Sequence, residues 1–268
     1  MGEDPKKAFI RLFHETARYH HRARVFEDLI TCASISIENA WRKDDDLEKE
    51  YLEVVARYER EDVERFAKLF GLITLGIDLK CDFLGGLFME LELGSDQIGQ
   101  FFSPYSVARL MAEMTMHDVE RHFETHEILT LDEPAAGAGG MVIAIADVLK
   151  EKGINPQQKL WVRCTDVSPV AARLCYLQVS LLGLPGLVVM GNTLTLETRR
   201  MMFTPMHHWG MWNAKLQRRE MGNTATKPQD SLLEQQAIVR PPASNPVPAM
   251  PGQLSIFDVV APERAGTG

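Results

Sequence analysis

Apolar residues recur three and four positions apart through the first third of the chain, as at Phe26, Leu29 and Ile30 and again at Leu52, Val55 and Tyr58. That spacing gathers them on one stripe of an α-helix and predicts a helical N-terminal domain over residues 1–96, with three or four helices between Lys6 and about Gly94. The acidic run Asp44-Asp45-Asp46-Leu47-Glu48 predicts a helix start, because negative charge suits the positive end of the helix dipole. Beyond Gln97 short apolar runs alternate with helical stretches, which predicts an α/β domain over residues 97–221. Leu129–Leu131 reads as a strand leading into a small-residue loop and the helix Val142–Leu149. Leu160–Asp166 reads as a second buried strand, with Ser168 and Pro169 opening the next helix. Leu187–Gly191 reads as a third strand and Arg200–Phe203 as a fourth, with Trp209, Met211 and Trp212 in a closing helix. No internal repeat is visible.

Residues 222–268 differ in kind. Pro241, Pro242, Pro246, Pro248 and Pro251 fall close together amid alanine, serine and asparagine, so the segment lacks the apolar surface to fold by itself and reads as a disordered tether. Near its end stands an apolar island, Gln253-Leu254-Ser255-Ile256-Phe257. Exposed apolar anchors on a tether imply a partner, and the alternative is a tail that docks back on its own domain.

The chain has 268 residues, 45% of them hydrophobic, which is ample for a core in one or two domains. A net charge of -8 argues against a surface that grips nucleic acid everywhere. DNA contact would be local, at Arg18, His20, His21, Arg22 and Arg24 or at Arg199, Arg200, Lys215, Arg218 and Arg219; the alternative is a solvated helix face in either place. Neither a secretory leader nor a membrane span is expected. Cys32, Cys81, Cys164 and Cys175 lack the spacing of a disulfide framework or metal site, which predicts reduced thiols and a cytoplasmic setting without a metal.

The loop Glu133-Pro134-Ala135-Ala136-Gly137-Ala138-Gly139-Gly140 lets backbone approach a ligand closely, at the start of a helix. It resembles the Asp-Pro-x-x-Gly-x-Gly-Gly cofactor loop of N6-adenine DNA methyltransferases, with Glu133 at the position of the aspartate. Gly99-Gln100-Phe101-Phe102-Ser103-Pro104 is similar to the Gly-Gln-aromatic-aromatic-Thr-Pro segment of type I modification subunits in restriction-modification systems. Gly191-Asn192-Thr193-Leu194 resembles the family's Gly-Asp-Thr-Leu, with Asn192 replacing the aspartate. The resemblance runs from about residue 85 to 195 and implies a Rossmann-like, S-adenosylmethionine-dependent core. It implies cofactor contacts from Glu133, Pro134, Ala135, Gly137, Gly139 and Gly140, and from Phe102, Ser103 and Pro104 toward the methionine end. Asn192 is expected to accept from the cofactor's adenine amino group. Ser103 also fits a helix N-cap with Pro104 at the first helical position. Asp166, an acid ending the second strand, suits the ribose hydroxyls.

Transfer to an adenine amino group needs a flipped base, a stacking ring and acceptors for the amino hydrogens. The family supplies these with Asn-Pro-Pro-Tyr/Phe after strand four, which this sequence lacks. The nearest counterpart is Thr204-Pro205-Met206-His207. There Thr204 and the Pro205 carbonyl would orient the amino group, with His207, His208 or Trp209 stacking; the alternative makes the histidines ordinary loop residues. Too little chain follows for the remaining strands or a DNA-recognition region, so a truncated sheet completed by a dimer or a specificity partner is expected. Gln253–Phe257 is similar to the peptide by which bacterial replication proteins bind the sliding clamp. The expected function is an N6-adenine DNA methyltransferase acting on replicating DNA. Two alternatives stand beside it: a degenerate relative that binds cofactor, DNA or clamp as a regulator or decoy, and an interaction module whose glycine loop is merely structural.

Overall fold

Asp4 caps the first helix, α1 (Pro5–Glu15), by accepting from the Lys6 N–H, and Pro5 stands where no helical N–H is needed. The structure, a computed structural model, describes residues 3–78, 80–93 and 102–225, with side chains as far as 219. Four further helices follow: α2 (Arg22–Arg42), α3 (Asp45–Val55), α4 (Arg60–Gly76) and α5 (Phe83–Glu90). Asp44 caps α3 by accepting from the N–H groups of Asp46 and Leu47, so the acidic run opens a helix as its charge predicts. Five helices therefore occupy a stretch read as three or four; α5, with eight residues, is too short to display a period.

The second half comprises α6 (Tyr105–Thr115), α7 (Val119–Thr125), β1 (Leu129–Glu133), α8 (Gly140–Glu151), α9 (Pro156–Lys159), β2 (Leu160–Asp166), α10 (Pro169–Leu181), β3 (Gly186–Asn192), β4 (Glu197–Phe203), α11 (Pro205–Trp209) and α12 (Trp212–Ala225). The strands form one sheet in the order β1-β2-β3-β4. The first three run parallel, with Leu131 opposite Val162 and Cys164 opposite Val188. β4 is antiparallel to β3, with Phe203 opposite Leu187 and Glu197 opposite Asn192. Its direction follows from the connection: only the four residues 193–196 separate the strands, and a parallel neighbour needs a crossover of about a dozen or more.

Alternation along β2 decides which face is covered. Leu160, Val162 and Cys164 are buried, with Val188 and Met202 beside them, against α8 and α10. Asp132, Arg163 and Met201 on the other face are exposed. Helices thus cover one face of this α/β sheet, and the short α11 reaches the other at Trp161, whose indole donates to His207.

A second core joins the N-terminal helices through Phe9, Phe13, Phe26, Leu29, Leu69, Ile73, Leu84 and Leu87. Leu174 and Leu177 of α10 and Ala138 of the glycine loop belong to it, so α10 packs on the sheet with one side and on the helices with the other. Each of these buried leucine, isoleucine and phenylalanine side chains contributes about 1.5–3 kcal/mol. Residues up to Arg218 form one unit.

Charged groups also cross this junction. Arg200 of β4 donates to Glu38 at 2.6 Å and Glu50 at 2.9 Å, and Arg173 of α10 donates to Glu50 at 2.5 Å and Thr31 at 2.7 Å. Arg200, expected as a candidate DNA contact, is therefore a strut between sheet and helices. Arg22 is likewise spent on the carbonyls of Phe13, Thr16 and His20, and Arg24 pairs with Asp28. Among the described residues no helix is long and apolar enough to cross a membrane.

Candidate functional site

The end of β1 and the start of α8 bracket the expected cofactor loop. Gly137 and Gly139 adopt φ of +54° and +98°, a region costly for residues with a side chain. A Cβ on Gly137 would lie 3.0 Å from the Phe102 ring, one on Gly139 would lie 3.2 Å from Cys175 Sγ, and one on Gly140 would lie 3.1 Å from Asp82 Oδ2. The glycines thus leave space that any other residue would fill.

The loop is held from several sides. The Ala136 N–H donates to the Thr165 carbonyl at 2.9 Å and the Gly137 N–H donates to Asp166 Oδ2 at 2.8 Å. Gln178, fully buried, donates to the Ala138 carbonyl at 2.7 Å, and the Thr193 hydroxyl donates to the Pro134 carbonyl at 2.7 Å. Asp166 Oδ1 accepts from the Ser168 N–H, so this carboxylate braces both the loop and the start of α10. Glu133 Oε1 accepts from the Ala135 N–H at 3.3 Å.

Over the loop lies a cavity of about 270 Å³, lined by Glu133, Ala135, Gly137, Gly140, Phe102, Ser103, Asp82 and Met111 among others. Three segments distant in sequence therefore converge on one space. Ser103 differs from its expected role: the N-cap of α6 is Pro104, no side chain caps that helix, and the Ser103 hydroxyl is left at the cavity wall. Gly99, Gln100 and Phe101 lie outside the described residues. Asn192 lines a different groove of about 200 Å³, with Pro134, Thr165 and Glu197, and its Oδ1 accepts from the Leu194 and Thr195 N–H groups.

The expected catalytic tetrapeptide is not at this end of the sheet. Because β4 runs backward, Thr204 stands beside Gly186, where β3 begins, whereas the glycine loop follows the end of β1. The offset is the length of the seven-residue β3, about 20 Å. Thr204 is fully buried; its hydroxyl donates to the Leu184 carbonyl and accepts from the Gly186 N–H. Pro205 opens α11. His207 is buried between the Trp161 indole and the Asn213 amide, and burial, with His208 nearby, pushes its pKa below the usual histidine range. Trp209 is 72% exposed and packs on Trp41 of α2. These residues close the lower edge of the sheet, away from the glycine loop, whereas the sequence expectation sets Thr204, Pro205 and His207 beside the cofactor. Gln253–Phe257 also lie outside the described residues.

Asp82 and Met111 are cavity residues that the sequence pattern did not single out. Asp82 had one readable signal, an acid directly before the apolar run of α5, where it caps the helix through the Gly85 N–H. Among the described residues no group of His, Cys, Asp and Glu is arranged to hold a metal.

The arrangement suits a ligand with an amino-acid part: open backbone at a helix start and a hydroxyl for a carboxylate, two carboxylates for an ammonium, and an aromatic ring beside them. No curated protein matches the sequence. Of solved structures, a class I S-adenosylmethionine-dependent methyltransferase from Listeria monocytogenes is similar at 14% identity and a TM-score of 0.40, covering 69% of this chain and 52% of that one. The protein of a DrdV–DNA complex is similar at 18% identity and a TM-score of 0.37, covering 67% of this chain and 20% of that one. The chain thus spans about half the length of the first and a fifth of the second. The sequence model of the N-6 DNA Methylase family matches residues 89–236. That match takes in the glycine loop, the cavity residues from Phe102 onward and all four strands, more than half of the chain, though not Asp82, and the protein belongs to the N-6 DNA methylase family, whose cofactor is S-adenosylmethionine.

Proposed function

We propose that this chain holds S-adenosylmethionine in the glycine-loop cavity and serves as the cofactor-bearing part of an N6-adenine DNA methyltransferase. The observation that carries the reading is the loop itself, with two glycines at positive φ, the Gly137 N–H on Asp166, and a cavity bounded by Phe102 and Ser103. When bound, the cofactor supplies a methyl group on a sulfonium. Glu133, Ala135, Gly137, Gly139 and Gly140 cradle it, Phe102 and Ser103 border its methionine end, and Asp166 holds the loop in the receiving shape. Asp166 accepts one N–H on each oxygen and keeps a second lone pair on each for a ribose hydroxyl, whereas Asn192, whose Oδ1 already accepts two N–H groups, meets the adenine only by opening its own turn.

Acceptors for the target amino group come from another chain in this reading. Thr204 and His207 already spend their polar atoms at the far edge of the sheet. Among the described residues no strand pairs with the outer edge of β1. A parallel strand added there would end beside the cavity, where base acceptors are needed, and the exposed Asp132 of β1 and Arg163 of β2 adjoin it. A second copy or a specificity subunit fits that role, with DNA as the substrate. Titration calorimetry with S-adenosylmethionine, followed by labelled-methyl transfer to adenine-containing DNA, tests this. The isolated chain binds cofactor and transfers nothing; no binding by a folded sample refutes the reading, and robust transfer by the monomer refutes the need for a second chain.

A second reading, a degenerate relative that binds cofactor as a regulator or decoy, is favoured by the same engagement of Thr204 and His207. Transfer restored by a second subunit would exclude it. In either reading the peptide Gln253–Phe257 is proposed to deliver the chain to the sliding clamp, a reading that rests on its sequence. Tethering raises the local concentration at DNA without further contacts. Replacing Leu254 and Phe257 together with alanine abolishes retention of the chain on immobilised clamp and leaves cofactor affinity within about twofold, because both apolar anchors are lost. Retention by the double variant would remove the clamp from the account.

A further inference from the structure

Asp82 divides its two oxygens between unlike tasks. Oδ1 accepts from the Gly85 N–H at 2.8 Å and from Gln178 Nε2 at 2.7 Å. Gln178 in turn donates to the Ala138 carbonyl and accepts from the Leu84 N–H at 3.1 Å, so every hydrogen of its amide is used. One buried amide thereby fixes the start of α5 against the glycine loop, and Asp82 cannot swing away without breaking both. Oδ2 has no hydrogen-bond partner among the described residues, and it sits at the cavity wall beside the first residue of α8.

A carboxylate oxygen held rigid and unpaired in this way seeks a donor. Burial pushes the Asp82 carboxyl above the usual carboxylate range, and the bonds from Gln178 and Gly85 act against it. A cationic ligand group at Oδ2 would remove that penalty. The amino-acid end of S-adenosylmethionine is a zwitterion, and the cavity offers it complementary parts. The Ser103 hydroxyl and the open N–H groups at the start of α8 suit its carboxylate, and a fixed acceptor suits its ammonium. Glu133 is the other acid at the wall and, among the described residues, its Oε2 is equally open, but one 3.3 Å bond from the Ala135 N–H holds it, whereas Gln178 and Gly85 both fix Asp82, so Asp82 is the preorganised acceptor.

The geometry points to Asp82 as the group that accepts the α-ammonium of the cofactor, a contact made by the helical N-terminal region rather than by the glycine loop. This assignment rests on the cofactor reading above. It gives the helical region a part in ligand binding: its helix α5 carries one wall of the site, and Gln178 sets the distance between that wall and the loop.

Calorimetric titration of the full chain with S-adenosylhomocysteine and with its analogue lacking the α-amino group tests the assignment. Wild-type protein prefers the amine-bearing ligand about ten- to a hundredfold, the range of a charge-assisted hydrogen bond. In Asp82→Asn the remaining oxygen still serves Gly85 and Gln178 while the acceptor at Oδ2 is lost, so that preference disappears and the analogue's affinity stays within about twofold. In Glu133→Gln the preference persists. Equal affinity of wild-type protein for the two ligands overturns the assignment without requiring any variant to fold. A preference that survives Asp82→Asn, or one that vanishes in Glu133→Gln alone, overturns it as well. Failure of wild-type protein to bind either ligand overturns the cofactor reading itself, and this assignment with it.

Discussion

Gly137→Val abolishes S-adenosylmethionine binding in titration calorimetry, with a loss of at least about a hundredfold, while the variant retains its helical circular dichroism. Two effects act at once. Gly137 holds φ at +54°, where a β-branched residue is strained, by about 1–3 kcal/mol. Its Cβ would also stand 3.0 Å and 3.3 Å from two atoms of the Phe102 ring. Either the ring moves into the cavity or the loop relaxes to negative φ and surrenders the Gly137 N–H bond to Asp166, and both remove the receiving shape. The hundredfold figure corresponds to about 2.7 kcal/mol, within reach of these effects combined. Gly137→Ala, which lacks branching, should lose less. Unchanged affinity in folded Gly137→Val would show that the ligand binds elsewhere.

Much of this site was readable because its signals are local. Glu133 through Gly140 announces a tight approach of backbone, and Ser168 and Pro169 announce a helix start, from residue type alone. Asp44 and its acidic neighbours do the same for α3. What the local pattern does not carry is chain direction and partners far away in sequence. The stretch between the third apolar run, ending at Gly191, and the fourth, starting at Arg200, is a usable signal, because its eight residues are fewer than a crossover needs. So short a connection makes β4 antiparallel to β3 and carries Thr204 and His207 to the opposite edge. The alternation of Trp161, Arg163 and Thr165 with Leu160, Val162 and Cys164 was a second such signal. A strand covered on both faces reads as continuously apolar, whereas this one declares an open face. Nothing in the residues around Asp82 indicates that Gln178, 96 positions later, will pin it to the glycine loop.

The basic residues teach the same lesson, and Arg200 supplies the other large effect. Arg200→Met lowers stability by about 3 kcal/mol, toward the lower end of what breaking a buried ion pair costs. Glu38, with 2% of its side chain exposed, loses its partner at 2.6 Å and keeps only Arg42, which is half exposed. Glu50 retains Arg173 and is 36% exposed, so it adds less. For a unit of this size the loss appears as a fall of roughly 6–12 °C in melting temperature. Glu38→Leu combined with Arg200→Met recovers most of the difference, because removing both charges leaves none buried and unpaired. A loss below about 1 kcal/mol in the single variant would mean that water reaches Glu38 and that the cluster does not join β4 to α2. The same variant separates strut from DNA contact: a strut lowers the melting temperature and leaves the salt dependence of DNA binding unchanged, whereas a phosphate contact lowers the salt slope by about one and leaves the fold alone. The bonds to Glu38 and Glu50 use both terminal nitrogens of the guanidinium, and that is the geometry of the strut.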